Sequence, residues 1–224
     1  MPVDLLKLDN LLIELEPFKA KLVAVSKTKP ISDLLEVYNH KHRFFGENYV
    51  QELVAKKEAL PNDIEWHFIG HLQSNKVKFI APFVNLIQGV ESWNLVQEIN
   101  RQALKLNSVI DILLQIHIAK EDSKFGFNES ELVEAVRQLQ QTPLTGIRVR
   151  GLMGMASFTD DVTQIRKEFK NLRKLFDTTL LSLNPFYRND FSILSMGMTS
   201  DYKIALEEGS TLIRIGSALF GERD

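Results

Sequence analysis

The sequence predicts an α/β protein built as a single (β/α)8 TIM-type barrel. Three observations carry that prediction. Short apolar runs alternate with longer amphipathic stretches about eight times, which puts helices on the faces of a parallel sheet. The chain has 224 residues, the lean end for a closed barrel. An open doubly wound sheet has fewer strands, roughly five or six, and no Gly-rich dinucleotide fingerprint follows the first strand here. There is no internal repeat, low-complexity tract or Pro/Gly/Ser-rich linker, so residues 1–224 read as one domain.

The elements follow in order. Residues 4–19 have helical spacing, and "KLVAVSKT" (21–28) reads as the first strand. "ISDLLEVYNHK" (31–41) is a helix after Pro30, where the fixed φ of proline suits a helix start. "RFFGENY" (43–49) is a strand with its turn, and "VQELVAKKEAL" (50–60) a helix. "EWHFIGHL" (65–72) gives the third strand and "SNKVKFIAPF" (74–83) the third helical segment. "VNLIQGVES" (84–92) precedes the helix at 93–107, and "VIDILLQIHIA" (109–119) is a strongly apolar strand. A polar loop at 120–128 leads to a helix at 129–141, then to the strand "IRVRGLMGMA" (147–156) and a long helix at 162–183. "FSILSMGM" (191–198), "SDYKIALEEG" (200–209) and "TLIRIGSALFG" (211–221) supply the last strand, helix and strand.

Composition excludes several function classes. The chain is 44% hydrophobic and 25% charged with a formal net charge of −2, so no basic field favours nucleic acid or an anionic membrane. With no cysteine there are no disulfides, zinc–thiolate sites or thiol nucleophiles, and the chain suits a reducing compartment. The N-terminus lacks a signal-peptide layout, and no uncharged apolar run reaches the ~18 residues of a spanning helix. The expectation is a soluble, cytoplasmic protein.

In a barrel of this kind the chemistry collects at the C-terminal strand ends. Those ends carry "SKTK", "GENY", "GHLQSNK", "VES", "KEDSKFGF", "MGMAS", "SMGMTSD" and "RIGSALFG". Alternation puts Val23, Val25 and Lys27 on the inward face of the first strand. An amine among apolar side chains has a lowered pKa and becomes a nucleophile towards an aldehyde, forming a Schiff base. The ordinary alternative is a lysine snorkelling from the strand end. Ser195, Thr199 and Ser200, with the N–H groups of Gly216 and Ser217, match the barrel phosphate site; plain turn chemistry is the alternative. Leu212, Arg214 and Gly216 share a face, so Arg214 points inward and needs a partner: a ligand nitrogen, a phosphate or an acidic side chain. A buried amine, a phosphate cradle and an inward arginine together point to pyridoxal 5′-phosphate.

The segments "AVSKTKP", "FGENYVQE", "WHFIGHLQSNKVK", "GLMGMA", "SMGMTSDYKIAL" and "GSTLIRIGSALFGER" resemble the YggS/PROSC pyridoxal phosphate homeostasis family. The resemblance implies a fold-type III barrel of the alanine racemase N-terminal type. It implies the cofactor on Lys27, Asn48 near it, Ser195, Thr199, Gly216 and Ser217 at its phosphate, and Arg214 near the pyridine nitrogen. It also implies a role in holding, buffering or delivering pyridoxal phosphate, with apo enzymes as partners, rather than strong catalysis. Racemases of this fold take a second acid/base from a separate β-domain, and the sequence runs only three residues past "LFG". No catalytic residue is therefore assigned, and a monomer is expected. A small fold-type III racemase or lyase is the alternative, with Tyr49, His71 or Lys124 as its acid/base. A Schiff-base aldolase and a pure interaction module also stay open.

His67 and His71 lie four apart, but on a strand and turn rather than a helix, so burial with hydrogen-bonded rings is expected and no metal is assigned. His71 with Gln73, Asn75 and Lys76 could instead line the mouth. Lys120, Glu121, Asp122 and Lys124 read as a solvated loop, with Lys124 as an alternative amine for cofactor hand-over. Arg166, Lys167, Lys170, Arg173 and Lys174 could form a basic helix face, diluted by Glu168 and Asp177 and lacking interleaved exposed aromatics.

Overall fold

The computed structural model of the protein describes residues 3–120 and 125–221. Eight parallel strands close into a barrel in sequence order. They are β1 (Lys21–Val25), β2 (Phe44–Glu47), β3 (Glu65–Phe68), β4 (Leu86–Val90), β5 (Ile110–Ile116), β6 (Ile147–Gly154), β7 (Ile193–Ser195) and β8 (Leu212–Ile215). The helices are α1 (Leu5–Leu15), α2 (Ile31–Asn39), α3 (Val50–Ala59), α4 (Val77–Ile80), α5 (Trp93–Lys105), α6 (Glu129–Gln141), α7 (Val162–Ser182), α8 (Pro185–Arg188), α9 (Tyr202–Glu207) and α10 (Ser217–Phe220). Among the described residues no helix is long and apolar enough to cross a membrane.

Strand alternation divides the apolar residues into two cores. Leu22, Ala24, Phe45, Trp66, Phe68, Ile87 and Ile112 face the helices. Val23, Leu86, Leu113, Met153 and Leu212 face inward and plug the barrel, with Phe44, Met155 and Ile193 packed against them. Two residues further along three of these strands the inward positions turn polar: Gln88 follows Leu86, Ser195 follows Ile193, and Arg214 follows Leu212. The plug therefore forms a floor, and a buried polar layer lies on its C-terminal side.

Several boundaries differ from the sequence reading. The expected helix at 74–83 is a 3-10 turn, Ser74–Lys76, followed by one turn of α4, because Pro82 cannot continue the hydrogen-bond ladder. The segment at 211–221 divides: its strand stops at Ile215, and Ser217–Phe220 form α10. The short α8 was not expected, although Asn184 caps it and Pro185 opens it. In α6 a capping box between Asn128 and Glu131 fixes the predicted start. Both arginines of α7 are paired: Arg166 bonds Glu207 and Glu208, at the end of α9, and Arg173 bonds Asp177.

His42 and His67 are both buried, and desolvation lowers their pKa values to about 4 and about 3. An unfolded chain takes up these protons near the ordinary pKa of about 6.5, so stability is lost as pH falls from there towards the folded values. Each histidine should remove roughly 2 kcal/mol between pH 7.5 and pH 5. Burial raises the Glu47 carboxyl, which works in the opposite direction by favouring proton uptake in the folded state. Urea unfolding at the two pH values checks the net loss, and NMR titration should show both imidazoles neutral at pH 5.

Candidate functional site

β1 ends at Val25, two residues before Lys27, so the extended parity stops one step short of the lysine. The amide of Ser26 still donates to Gly46 O, but Thr28 then takes φ 65° and Lys29 N closes a turn onto Ser26 O at 3.1 Å. A β-branched residue at positive φ is an outlier that the surroundings must enforce. Here they do so through one buried cluster. Lys56 Nζ donates to Ser26 O, Glu47 Oε1 and Glu52 Oε1, each at 2.7 Å. Ser26 Oγ donates to Glu47 at 2.6 Å, and the Thr28 amide donates to Glu52 at 2.6 Å. The half-buried Lys27 thus stands on a turn clamped on either side of it.

Nothing in the sequence reading assigned Lys56, Glu47 or Glu52, yet the signal was there. Glu47 shares the phase of Phe45, which faces the helices, and Lys56 follows Val50 and Leu53 along the buried stripe of α3. Opposite charges on two facing buried stripes imply an ion pair.

At the other side of the seam, β7 and β8 supply a rim of hydroxyls. Met198 N donates to Asp201 Oδ1 at 2.6 Å, and the amides of Asp201 and Tyr202 return to Met198 O. This holds Thr199 and Ser200 exposed at the tip of a turn. Gly197 at φ 98° gives that turn a conformation other residues resist. Ser217 Oγ lies 3.3 Å from Thr199 Oγ1, so the two predicted phosphate residues meet. Gly216 stands beside β1: a Cβ there would lie 3.2 Å from Val25 O, tight enough to crowd the rim.

Ser195 and Arg214 lie deeper, in the polar layer under this rim. Arg214 is 4% exposed and faces inward as expected. It donates from Nη1 to Ser195 Oγ at 2.6 Å and from Nη2 to Gly154 O at 3.1 Å, both neutral acceptors. Burial pulls its pKa down to about 10, with Asp201 opposing, which leaves it charged at neutral pH. Ser195, placed with the phosphate group from sequence, has its hydroxyl engaged by Arg214 and by Gln88 Oε1 at 2.7 Å. Asn48 sits at the end of β2 with Oδ1 buried and without a partner among the described residues.

The two histidines of "WHFIGHL" diverge. His67 is inside the barrel, with Nδ1 2.9 Å from Gln88 Nε2. His71 is at the mouth, its Nδ1 2.7 Å from Glu91 Oε1 and its ring stacked on Phe125 at 4.6 Å. Gln73 and Asn75 are exposed, and Lys76 turns to the ring of Phe79. Lys124 lies outside the described residues.

The clamp can be tested on stability. Lys56→Met would leave Glu47 buried without its counter-charge and should cost ~3–5 kcal/mol in urea unfolding. Adding Glu47→Gln should return part of that loss; a single-variant cost within experimental error would contradict the clamp.

Residues 8–224 match the family model of the alanine racemase N-terminal domain. The chain is 40% identical over 205 residues to the pyridoxal phosphate homeostasis protein of Aquifex aeolicus, covering 91% of this chain and 87% of that one. It is 38% identical over 221 residues to the human protein of the same name, covering 94% and 79%. PipY of Synechococcus elongatus, solved with PLP bound, superposes with a TM-score of 0.86 at 34% identity over 96% of this chain and 98% of PipY. Alanine racemase of Clostridium difficile shares the fold, with a TM-score of 0.76 at 14% identity over 99% of this chain and 58% of the racemase. The barrel, its motifs and these relatives together show that the chain belongs to the pyridoxal phosphate homeostasis protein family, within the alanine racemase N-terminal domain class.

Proposed function

We propose that this protein binds pyridoxal 5′-phosphate as a Schiff base on Lys27 and serves intracellular balance of the cofactor, by buffering it or delivering it to apo enzymes, without strong catalytic activity. The carrying observation is that three chemistries stand at the C-terminal ends of the neighbouring strands β1, β7 and β8. A lysine stands on a clamped turn, two hydroxyls lie 3.3 Å apart, and a guanidinium is buried beneath them. The names of the relatives and the PLP-bound PipY structure support the same reading.

The residues present fit this cofactor. When bound, it supplies an aldehyde carbon for an amine and a conjugated ring that absorbs visible light. Lys27 holds the aldehyde end, and the fixed turn orients its amine. Thr199, Ser217 and the glycine at 216 receive the phosphate, where hydroxyls and uncrowded backbone suit its oxygens. Asn48 Oδ1, buried without a partner among the described residues, suits a donor on the ligand. Arg214 faces the ring nitrogen; because a guanidinium only donates, that nitrogen stays an unprotonated acceptor and the ring withdraws electrons weakly. In this reading Ser195 supports Arg214 rather than the phosphate. The absence of cysteine suits a cytoplasmic site of action, and the protein works as a monomer.

One observation favours a second reading, a small racemase or lyase: His71 and Glu91 form an imidazole–carboxylate pair at the mouth, a group able to move a proton.

Purified protein mixed with pyridoxal 5′-phosphate should show a visible absorption band that Lys27→Ala abolishes; a colourless wild type would overturn the proposal. Replacing Thr199 and Ser217 together by alanine should weaken Kd roughly 100-fold or more, since each removes a hydrogen bond to a charged group. Alanine incubated with the loaded protein in D2O should keep its α-proton. Exchange that disappears in His71→Gln would instead establish the enzyme reading.

A further inference from the structure

Four side chains form an unbroken hydrogen-bonded chain across the barrel interior. Arg214 Nη1 donates to Ser195 Oγ at 2.6 Å, Ser195 Oγ donates to Gln88 Oε1 at 2.7 Å, and Gln88 Nε2 meets His67 Nδ1 at 2.9 Å. The members come from β8, β7, β4 and β3 and are all buried. Gln88 and His67 each lie beyond Ser195 as seen from Arg214.

The direction of every bond follows from the arginine. A guanidinium can only donate, so Ser195 Oγ must accept from it, and the single hydroxyl proton is left to donate onward. That proton goes to Gln88, which fixes the carbonyl end of the amide towards Ser195 and the NH2 end towards His67. His67 Nδ1 must therefore present a lone pair, with its proton on Nε2. The lowered pKa of His67, about 3, keeps the ring in that form at physiological pH. A protonated Nδ1 would demand the reversed amide, and Ser195 would then face two donors.

We propose that Gln88 and His67 are positioning residues for Arg214, setting through Ser195 the direction in which the guanidinium faces the ligand above it. This rests on the reading that a pyridoxal ring lies over Arg214. Directional chains of this kind are fully satisfied only in one arrangement, so the far end restricts the near end without touching it.

The test uses full-length protein and pyridoxal 5′-phosphate, with two chain-breaking and two chain-preserving variants. Gln88→Leu and His67→Phe remove links. His67→Gln retains an acceptor for Gln88, and Ile87→Ala disturbs the adjacent core on the face towards the helices. Both chain-breaking variants should shift the visible band of the bound cofactor and weaken Kd about tenfold, the scale of one hydrogen bond to a charged group. They should also broaden the guanidinium N–H resonances of Arg214 in the apo-protein. His67→Gln and Ile87→Ala should keep the wild-type band and affinity, whatever they do to thermal stability. If Gln88→Leu does not fold, His67→Phe carries the same expectation. Unchanged band and Kd in the chain-breaking variants would overturn the proposal while leaving the cofactor reading intact. A wild type that takes up no pyridoxal phosphate would overturn both.

Discussion

The seam between β8 and β1 is the constraint on which the site depends. Lys21 pairs with Leu212, Val23 with Arg214 and Ala24 with Ile215, and this register closes the barrel. It sets Val25, at the end of β1, beside Gly216, although almost the whole chain separates them in sequence. Side chains alternate with period two, so a slip of one residue would turn Arg214 towards the helices and Ile213 into the barrel. Both outcomes are strongly disfavoured: a charge would enter the outer apolar core, and the polar layer would lose its donor. The same pattern that buries the plug therefore aligns the chemistry.

Two buried polar clusters flank that seam and do different things. Inside the barrel, neutral groups surround one guanidinium and share its hydrogen bonds through a chain. Between the barrel and α3, Lys56 meets Glu47 and Glu52, with desolvation raising the Glu47 carboxyl against the pull of Lys56. Ion clusters of this kind add little net stability over an apolar replacement. What this one does is geometric: it grips the Ser26 carbonyl and, through Glu52, the Thr28 amide, and so holds a β-branched residue at positive φ next to Lys27. Rigid support around a side chain spares a binding step the entropy of ordering it.

The barrel was legible because helix and strand periods alternate cleanly along the chain, and the inward phase of Val23, Leu86 and Leu212 follows from period two alone. Arg214 was legible for the same reason. The depth of Ser195 was not: a serine at a strand end two residues before a glycine reads equally as rim or interior until the neighbouring strands are aligned. Gln88 escaped notice because it is not unusual on its own strand, and His67 was legible only as a buried ring; the link between them arises from register across four strands. Lys27 stands on a turn rather than on the first strand, where period two placed it, since that turn is imposed by α3, whose contacts are not local. The ends of short elements such as α4 and α10 moved for local reasons, proline in one case and a glycine before the helix in the other.

The most direct test of the central claim is to reduce the pyridoxal 5′-phosphate-loaded protein with borohydride, digest it and map the modified lysine by mass spectrometry. The account predicts one dominant adduct, on the peptide containing Lys27. A dominant adduct on Lys29, Lys76 or any other lysine, or no adduct, would contradict it.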